Sequence, residues 1–269
     1  DSSRMWTREP TRLKEQHPLG VSAGTGFYDL TELSERESLV VDTAYGQAKC
    51  VAGLLHGRKT VFLSRHGVDH SVPPHLVNYR ANIAAMKDLG VAEILAINVV
   101  GGPGPDSGEL VVIDDFIDLT KSSVSNFFNG TTPEGVVHTD MGEPFAQRLR
   151  QVWIDACAAA QVPVVTTGIY GAYEGPRFET RAEVRAAQAM GITVAGMTVV
   201  PEVVLANELA IPYACISLVV NPATGLGAEQ VTIEDINLVI EQGSEAVKRV
   251  LSHAAKALAA NLDSESAQL

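Results

Sequence analysis

The feature that most constrains the fold is a run of seven residues, 94–100, in which every residue except Asn98 is apolar. A helical pattern precedes it over residues 76–89, where Tyr79, Ile83 and Met86 recur at helical spacing and Gly90 ends the pattern. A strand that is apolar on both faces is typical of the middle of a sheet that helices cover on both sides. The run therefore predicts an α/β fold.

The same alternation of strands and helices continues along the chain. No linker-like stretch or internal repeat interrupts it, which predicts a single α/β domain over residues 18–262. Residues 1–17 and 263–269 are polar and lack a pattern, so we expect mobile tails there. Further strands are predicted at 38–41, 49–55, 60–64, 110–113, 162–170, 192–195 and 213–220, and further helices at 143–160, at 180–190, from Glu202 and at 232–262.

Composition and charge exclude several classes of function. The formal net charge of -12 argues against broad nucleic-acid or anionic-membrane binding, although it leaves room for a local basic pocket. Cys50, Cys157 and Cys215 are scattered in apolar contexts, which predicts buried free thiols in a reducing compartment. No apolar run approaches the roughly 18 residues of a membrane span, and residues 1–10 lack the apolar part of a signal peptide. We therefore expect a cytoplasmic protein.

Polar groups that follow predicted strands indicate a binding site. Thr25 lies between two glycines, where backbone N–H groups and a hydroxyl can converge on an anion, although an ordinary tight turn is the alternative. Arg65 and His66 follow another strand, and arginine suits phosphate because its guanidinium is planar. Glu179 and Thr198 also lie at element ends, where strand–helix proteins build their pockets. These residues predict an anion site beside a pocket.

Two other clusters contain residue types that can bind a metal, but their spacing does not indicate a metal site. His66, His70 and His75 match no compact ligand spacing, and no cysteine or paired carboxylate joins them. The acids of residues 114–118 lack calcium-loop spacing and predict a solvated strand end instead. We therefore predict no metal site. The long polar segment 122–142 contains Phe127, Phe128 and His138, and its length is typical of a loop that closes over a pocket or reaches a neighbouring subunit.

Seven motifs occur in an order that resembles the trimeric purine nucleoside phosphorylases and their methylthioadenosine phosphorylase relatives. The motifs are GTGF, SRHG, VNYRANI, INVVGG, EGPRFETRAE, GMTVVPEVVLANE and the strand that ends at Asn221, and the resemblance spans residues 19–258. It implies a single α/β domain with a mixed, distorted central sheet flanked by helices. It also implies a pentosyltransferase, active as a homotrimer in purine salvage, that needs no cofactor and uses orthophosphate as a co-substrate to split purine nucleosides.

The resemblance assigns roles to matching positions. Asn221, Glu179 and His66 are the predicted catalytic residues, and His138 is a candidate for a contribution across a subunit boundary. Phe178 and Met197 would line the base and ribose. The phosphate would be held by Thr25, Arg65, His66, the backbone around Asn98 and Val99, and Thr198.

Two positions distinguish the purine bases by this resemblance. Phe178 and Glu179 match the purine nucleoside phosphorylase pattern, whereas methylthioadenosine enzymes have a small polar residue at the Glu179 position. Asn221 and Ala223 stand where the adenine-specific branch carries aspartates. A carboxylate accepts from N1–H of hypoxanthine or guanine, whereas adenine presents only a lone pair at N1. We therefore predict a 6-oxopurine substrate; the alternatives are that Glu179 only complements a helix N-terminus and Asn221 only stabilises a turn.

The sugar end of the predicted site resembles the other branch. The segment EQVTIEDI is similar to the methylthioadenosine enzymes, and Ile233 and Ile236 match their apolar positions around the 5′ substituent. This predicts 5′-methylthioinosine or another 5′-deoxy nucleoside, with inosine and guanosine as alternatives. Ser22 and Ala23 depart from the small-glycine pattern that usually begins the phosphate loop, and the loop of residues 102–108 is short.

Three other functions stay open from the sequence. An adenine-type 5′-methylthioadenosine phosphorylase would have to tolerate Asn221. A nucleosidase would use water, against which the retained Thr25, Arg65, His66 and Thr198 argue. A non-catalytic purine-binding protein would bind base tightly without phosphate-dependent turnover.

Overall fold

A computed structural model describes residues 17–27, 30–67, 71–121, 124–128, 130–223 and 232–266, with side chains up to residue 261. Its five helices are α1 (Tyr79–Asp88), α2 (Gln147–Ala159), α3 (Arg181–Ala189), α4 (Val199–Glu208) and α5 (Ile233–Ser266) within this part of the chain. Its strands are β1 (Leu19–Ala23), β2 (Ser34–Thr43), β3 (Gly46–Leu55), β4 (Arg58–Ser64), β5 (Glu93–Gly102), β6 (Leu110–Val112), β7 (Asp115–Asp118), β8 (Val164–Val165), β9 (Ile169–Ala172), β10 (Val194–Gly196) and β11 (Tyr213–Pro222).

The strands form one mixed sheet, which confirms the predicted α/β class with its mixed, distorted sheet. Its main path runs β2-β3-β4-β1-β5-β10-β9-β7, and β11, β6 and β8 branch from β5. β1 pairs in parallel with β4 and β5, whereas β2, β3 and β4 form an antiparallel meander. The β11–β5 register shifts between Val219 and Asn221, so the sheet is irregular where these strands end.

Helices cover the middle of the sheet on both faces, as the apolar β5 run predicts. α2 and α5 pack together on one face, where Leu149 and Trp153 are fully buried. α1 and α4 pack together on the opposite face, where Met86 and Val203 are buried. The apolar residues of the last helix that face the core are buried as well, namely Ile236, Ile240, Val247, Leu251 and Leu258.

Several predicted element boundaries were wrong for local reasons. The helix predicted from residue 76 begins at Tyr79, because the Asn78 side chain accepts from the N–H of Ala81 and caps the helix there. Residues 115–118 of the acidic segment form a strand that was not predicted, β7, which pairs in parallel with β9. Asp115 and Asp118 are exposed at its two ends, in keeping with the predicted solvated strand end. The helix predicted from Glu202 begins at Val199, which places Glu202 in its first turn.

The strand predicted at residues 162–170 is two short strands, β8 and β9, and the last helix extends to Ser266, beyond the predicted end at Leu262. The predicted tails lie outside the described residues at 1–16 and 267–269. Among the described residues, no helix is long and apolar enough to cross a membrane.

β5 has an uncovered stretch on one edge. One edge pairs with β11 from Ile94 to Gly102. The other edge pairs with β1 as far as Ile97 and with β10 only at Gly101. In the part of the chain that the structure describes, no strand covers this edge between Ile97 and Gly101, and we call the opening the β5 gap. It lies between the carboxyl ends of β1 and β10.

The turn after β1 packs directly against α5. Gly26 has a φ of 83°, and a β-carbon there would lie 2.3 Å from Cγ2 of Ile240. Both the left-handed backbone and the close contact favour glycine. The turn that holds Thr25 is therefore supported by the core face of the last helix.

We expect Gly26→Ala to lower the free energy of unfolding by about 1–3 kcal/mol, because the added methyl overpacks the contact with Ile240. Gly57→Ala is the matched control: Gly57 has a φ of 79°, and nothing lies within 4 Å of the place that a β-carbon would take there. Urea unfolding of both variants separates backbone strain from overpacking. Equal losses in the two variants would contradict the packing argument.

Candidate active site

The anion half of the site gathers where β1 and β4 end. These strands are parallel, so the turn at Thr25 and the pair Arg65–His66 emerge at the same edge of the sheet. The N–H of Arg65 donates to the carbonyl of Ala23 at 3.0 Å, which fixes the two segments together. A β-carbon at Gly24 would lie 3.4 Å from Nη1 of Arg65 and 3.9 Å from Nε2 of His66. The structure thus brings the predicted phosphate residues of these two strands together.

The side chain of Arg65 is completely buried, and four of its five N–H groups donate to protein acceptors. Its Nε and Nη2 donate to the two carboxylate oxygens of Glu202 at 2.8 and 2.7 Å. Nη2 also donates to the carbonyl of Ser22 at 3.3 Å, and Nη1 donates to that of Ile97 at 2.8 Å. Burial alone would lower the pKa of Arg65, but the Glu202 carboxylate outweighs it and raises the pKa, so the guanidinium stays charged.

The β5 gap presents backbone to the anion half of the site. The carbonyl of Ile97 accepts from the N–H of Gly24 at 3.2 Å, so the backbone groups of Ile97 face β1. Backbone groups of successive residues in a strand point to opposite edges. Val99 therefore turns its N–H and carbonyl into the β5 gap, which agrees with the predicted use of the backbone at this position.

Asn98, the residue before Val99, carries an unmet donor. Its Oδ1 accepts from Oγ of Ser217 at 2.6 Å and from Sγ of Cys215 at 3.4 Å. Its Nδ2 is buried and has no hydrogen-bond partner among the described residues. A buried amide donor without an acceptor is costly, so this group suits a bound oxyanion or an ordered water.

Met197 and Thr198 close the other side of the β5 gap, between β10 and α4. Thr198 is buried, and its N–H donates to the phenol oxygen of Tyr170 at 3.2 Å. Tyr79 donates to the carbonyl of Met197 at 3.5 Å. A β-carbon at Gly175 would lie 2.4 Å from Sδ of Met197, so Met197 contacts the loop that leads to Phe178 and Glu179. Met197 thereby joins the anion half of the site to the predicted base half.

The predicted base residues lie just before α3. Phe178 is 38% exposed, and Glu179 is half-buried. Burial raises the pKa of the Glu179 carboxyl, and the nearby Glu183 carboxylate adds to the effect. Arg177 holds Glu183 in a forked ion pair at 2.8 and 2.9 Å, and its hydrogen bonds lower the pKa of Glu183 to about 2.

The helix start behind Glu179 is built without using its carboxylate. The Thr180 hydroxyl accepts from the N–H of Glu183, and the Glu183 carboxylate accepts from the N–H of Thr180, which is a complete capping box. The capping role considered for Glu179 in the sequence is therefore filled by Glu183. The capping box thus leaves the Glu179 carboxylate out of the helix start, and a hydrogen bond from its own backbone N–H partly offsets the rise in its pKa.

Asn221 and Ala223 lie at the end of β11. A β-carbon at Gly101 would lie 2.8 Å from Nδ2 of Asn221, so the amide rests on the strand end of β5. Nδ2 donates to the neighbouring carbonyl of Pro222 at 2.7 Å. This bond is the turn-stabilising contact considered in the sequence. It uses one of the two hydrogens on Nδ2, so the amide keeps a second hydrogen to donate. Ala223 is buried and donates its N–H to the carbonyl of Gly102.

The structure does not bring the remaining predicted residues into the same cluster. Ile236 is 8% exposed and packs in the core. Ile233 is 60% exposed at the start of α5, and residues 229–231 of the EQVTIEDI motif lie outside the described residues. His138 is exposed on its loop, where Val136 is also exposed. Their roles stay predictions, and that of His138 requires a second copy of the chain.

Other reactive groups are inert in this environment. Burial raises the pKa of Cys50 and Cys215 to about 12 and that of Cys157 to about 11, and all three thiols are buried as predicted. Within the described ranges, no group of three or more His, Cys, Asp or Glu side chains is arranged to hold a metal ion. The arrangement can therefore hold a small anion by N–H donors and present a carboxylate nearby, without an evident nucleophile.

Sequence reasoning missed Glu202, the main partner of Arg65. Besides the guanidinium, its carboxylate accepts from the hydroxyls of Ser22 at 2.9 Å and Tyr213 at 2.8 Å. The available signal is a lone carboxylate in the otherwise apolar run of residues 199–205. A charged residue at a buried helical position is rare unless it is paired.

An α/β domain with N–H donors around a gap in its sheet can hold a small anion. Residues 18–256 match the model of the phosphorylase superfamily. The chain therefore belongs to the phosphorylase superfamily, which confirms the family predicted from the seven motifs. The predicted enzyme class, a pentosyltransferase of the purine nucleoside phosphorylase type, is confirmed with it.

Relatives that match most of the chain carry three kinds of name. A 6-oxopurine nucleoside phosphorylase of Pyrococcus furiosus is 37% identical over 239 residues, covering 87% of this chain and 90% of the relative. A probable S-methyl-5′-thioinosine phosphorylase of Methanothermobacter thermautotrophicus is 42% identical over 232 residues, covering 83% and 78%. The solved methylthioadenosine phosphorylase of Schistosoma mansoni in complex with adenine is 32% identical, with a TM-score of 0.84 over 90% of this chain and 92% of that chain.

Proposed function

We propose that this enzyme splits 6-oxopurine nucleosides with orthophosphate, releasing the free base and a ribose 1-phosphate or its 5-deoxy or 5-methylthio counterpart. The observation that carries the proposal is the position of Glu179. It is a half-buried carboxylate that the adjacent capping box leaves uncommitted, on the loop that Met197 ties to the anion half of the site. The names of the two relatives above, which concern 6-oxopurine nucleosides and methylthioinosine, support the same base class.

Phosphate would sit in the β5 gap. The candidate donors are the Val99 backbone N–H, which faces the gap, the remaining hydrogen on Nη1 of Arg65, and the unmet Nδ2 of Asn98, the residue before Val99. Thr25, His66 and Thr198 lie at the strand and helix ends around it. No cofactor is needed, because orthophosphate is itself the co-substrate.

The reaction would proceed mainly by positioning and electrostatics. The bond between the sugar carbon and the purine nitrogen breaks, its electron pair goes to the purine, and a phosphate oxygen bonds to the same carbon. The proton that orthophosphate gives up passes to the purine, so that the free base and the sugar phosphate are released. The sugar is positively charged in the transition state, so an anion held beneath it is stabilising. Glu179 would accept from N1–H of the purine and fix its orientation, and the Asn221 amide would serve N7 and O6 as negative charge develops.

The start of α5 bears on which 5′ substituent the enzyme accepts. α5 contacts the turn of Thr25 through Ile240, and Ile233 lies about two helical turns nearer the start of the same helix. An exposed isoleucine there favours an apolar 5′ group over a hydroxyl. We therefore propose 5′-methylthioinosine as the preferred nucleoside, with inosine and guanosine as weaker substrates.

The test is phosphate-dependent base release from inosine, guanosine, adenosine, 5′-methylthioadenosine and 5′-methylthioinosine. We expect both hypoxanthine nucleosides to be cleaved faster than their adenine counterparts, and the methylthio form of each to be preferred. Ile233→Asn should lower the ratio of 5′-methylthioinosine cleavage to inosine cleavage by roughly tenfold, because it removes apolar contact worth about 1–2 kcal/mol. Faster cleavage of the adenine nucleosides would overturn the base assignment.

A second candidate is an adenine-type 5′-methylthioadenosine phosphorylase, which the solved Schistosoma mansoni relative favours. The same panel distinguishes it. Base release that does not depend on phosphate would instead indicate a nucleosidase, and base binding without turnover would indicate a purine-binding protein.

A homotrimer, a cytoplasmic location and a role in purine salvage are further proposals that rest on the resemblance. Sedimentation of the purified protein tests the first of them.

A further inference from the structure

Glu202 is buried in the first turn of α4, behind the predicted phosphate residues, and its carboxylate is fully occupied. Oε2 accepts from Nε of Arg65 and from the hydroxyl of Ser22, at 2.8 and 2.9 Å. Oε1 accepts from Nη2 of Arg65 and from the hydroxyl of Tyr213, at 2.7 and 2.8 Å. A carboxylate with four donors around it is held in one orientation.

This arrangement restricts what Arg65 can offer to a ligand. Two of its five N–H groups are committed to Glu202, and two more donate to the carbonyls of Ser22 and Ile97. Within the described residues, the second hydrogen on Nη1 is left without an acceptor, on the nitrogen nearest Gly24. The side chains of Arg65 and Glu202 are 0% and 1% exposed, and their opposite charges offset each other. An anion in the β5 gap would thus meet one directed N–H rather than a free positive charge.

We infer that Glu202 is a positioning residue for phosphate, which acts by orienting Arg65. The inference rests on the proposed function, because it assumes that phosphate occupies the β5 gap. It also gives Ser22 a role: this departure from the usual small-glycine pattern supplies a hydroxyl that holds Oε2 of Glu202.

Three accounts of Glu202 predict different effects of Glu202→Gln on the KM for phosphate. If Glu202 positions Arg65, that KM rises at least about tenfold, while the KM for the nucleoside stays within about twofold. If Glu202 only offsets the charge of Arg65, its removal tightens phosphate binding and the KM falls. If its role is only structural, the folded fraction drops but neither KM changes. The second and third results would each overturn the inference.

Glu93→Gln is the matched control. Glu93 forms a similarly buried pair with Arg58, with side chains 7% and 3% exposed, but at the opposite end of β5 from the β5 gap. It should lower stability and leave both KM values unchanged. Combining Glu202→Gln with Arg65→Gln tests the route of the effect. In the Arg65→Gln background, Glu202→Gln should not change phosphate KM further, and an additive change would contradict action through Arg65.

A measurement on the unaltered protein covers the case in which Glu202→Gln does not fold. Nitrogen-15 NMR of labelled arginine side chains, with Arg65 assigned through Arg65→Lys, follows each guanidinium N–H during titration with inorganic phosphate. We expect an Nη1 signal to shift and the Nε signal, held by Glu202, to stay. A shift of Nε of equal size would refute the positioning role. If phosphate moves no arginine signal and the wild type releases no base with phosphate, it is the proposed function that fails.

Discussion

Arg65→Ala is expected to lower the free energy of unfolding by about 3–5 kcal/mol, because it leaves the Glu202 carboxylate buried without its charge partner. It should also reduce kcat/KM for phosphate by roughly 10- to 100-fold, the range expected when one hydrogen bond to a charged ligand is lost. Unfolding in urea gives the first quantity. Initial rates at varied phosphate, corrected for folded fraction, give the second.

Arg58→Ala separates the two effects. Arg58 is buried and paired with Glu93, but it lies at the start of β4, whereas Arg65 follows the end of that strand. The control should lose stability because it also leaves a buried carboxylate, although the partial pairing of Glu93 with Arg148 softens the loss. Its kcat/KM for phosphate should not change. A comparable loss of kcat/KM for phosphate in both variants would mean that the effect of Arg65→Ala on phosphate arises from destabilisation alone.

The fold was predictable because its main signals are local. The apolar run at residues 94–100 reports burial directly, and Ile94, Leu95, Ala96, Ile97 and Val100 are buried in the core. Boundaries were less predictable where a side chain competes with the helical pattern, as the Asn78 cap does. β7 was not predicted because its end residues, Asp115 and Asp118, are acidic and exposed, which is not typical of a strand. Its pairing with β9 depends on the rest of the sheet.

The site was predictable only at the level of strand ends. The polar groups that follow β1 and β4 meet because parallel strands end at one edge, which the order of motifs already implies. The β5 gap was not predictable, because it depends on where β10 joins β5, and a single residue pair defines that junction. The contact of Arg65 with Glu202 spans 137 positions in the chain, so no local pattern indicates it. The Glu179 carboxylate could be identified from the sequence. That it takes no part in capping α3 could not, because this depends on Glu183, which fills the capping role.

Glu179→Ala should cut kcat/KM for inosine by about 10- to 100-fold, because a charged acceptor for N1–H is lost. Adenosine has no N1–H and should lose little, so the ratio of the two rates is the informative measurement. Glu183→Ala is a suitable control: it removes the capping box and should cost about 1 kcal/mol of stability without changing that ratio. If inosine turnover survives Glu179→Ala unchanged, the assignment of Glu179 to the base is wrong.

The same carboxylate predicts a pH dependence with a definite sign. Burial raises the pKa of Glu179, so its proton is held at pH values above the ordinary range near 4.3. The ionised form accepts from N1–H of hypoxanthine, whereas the protonated form can donate to N1 of adenine. The ratio of inosine to adenosine turnover should therefore fall as the pH drops through this raised pKa. Glu179→Gln has no titrating group at this position, so its ratio should be flat over the same range. A wild-type ratio that does not vary with pH would show that the ionised carboxylate is not what selects the base.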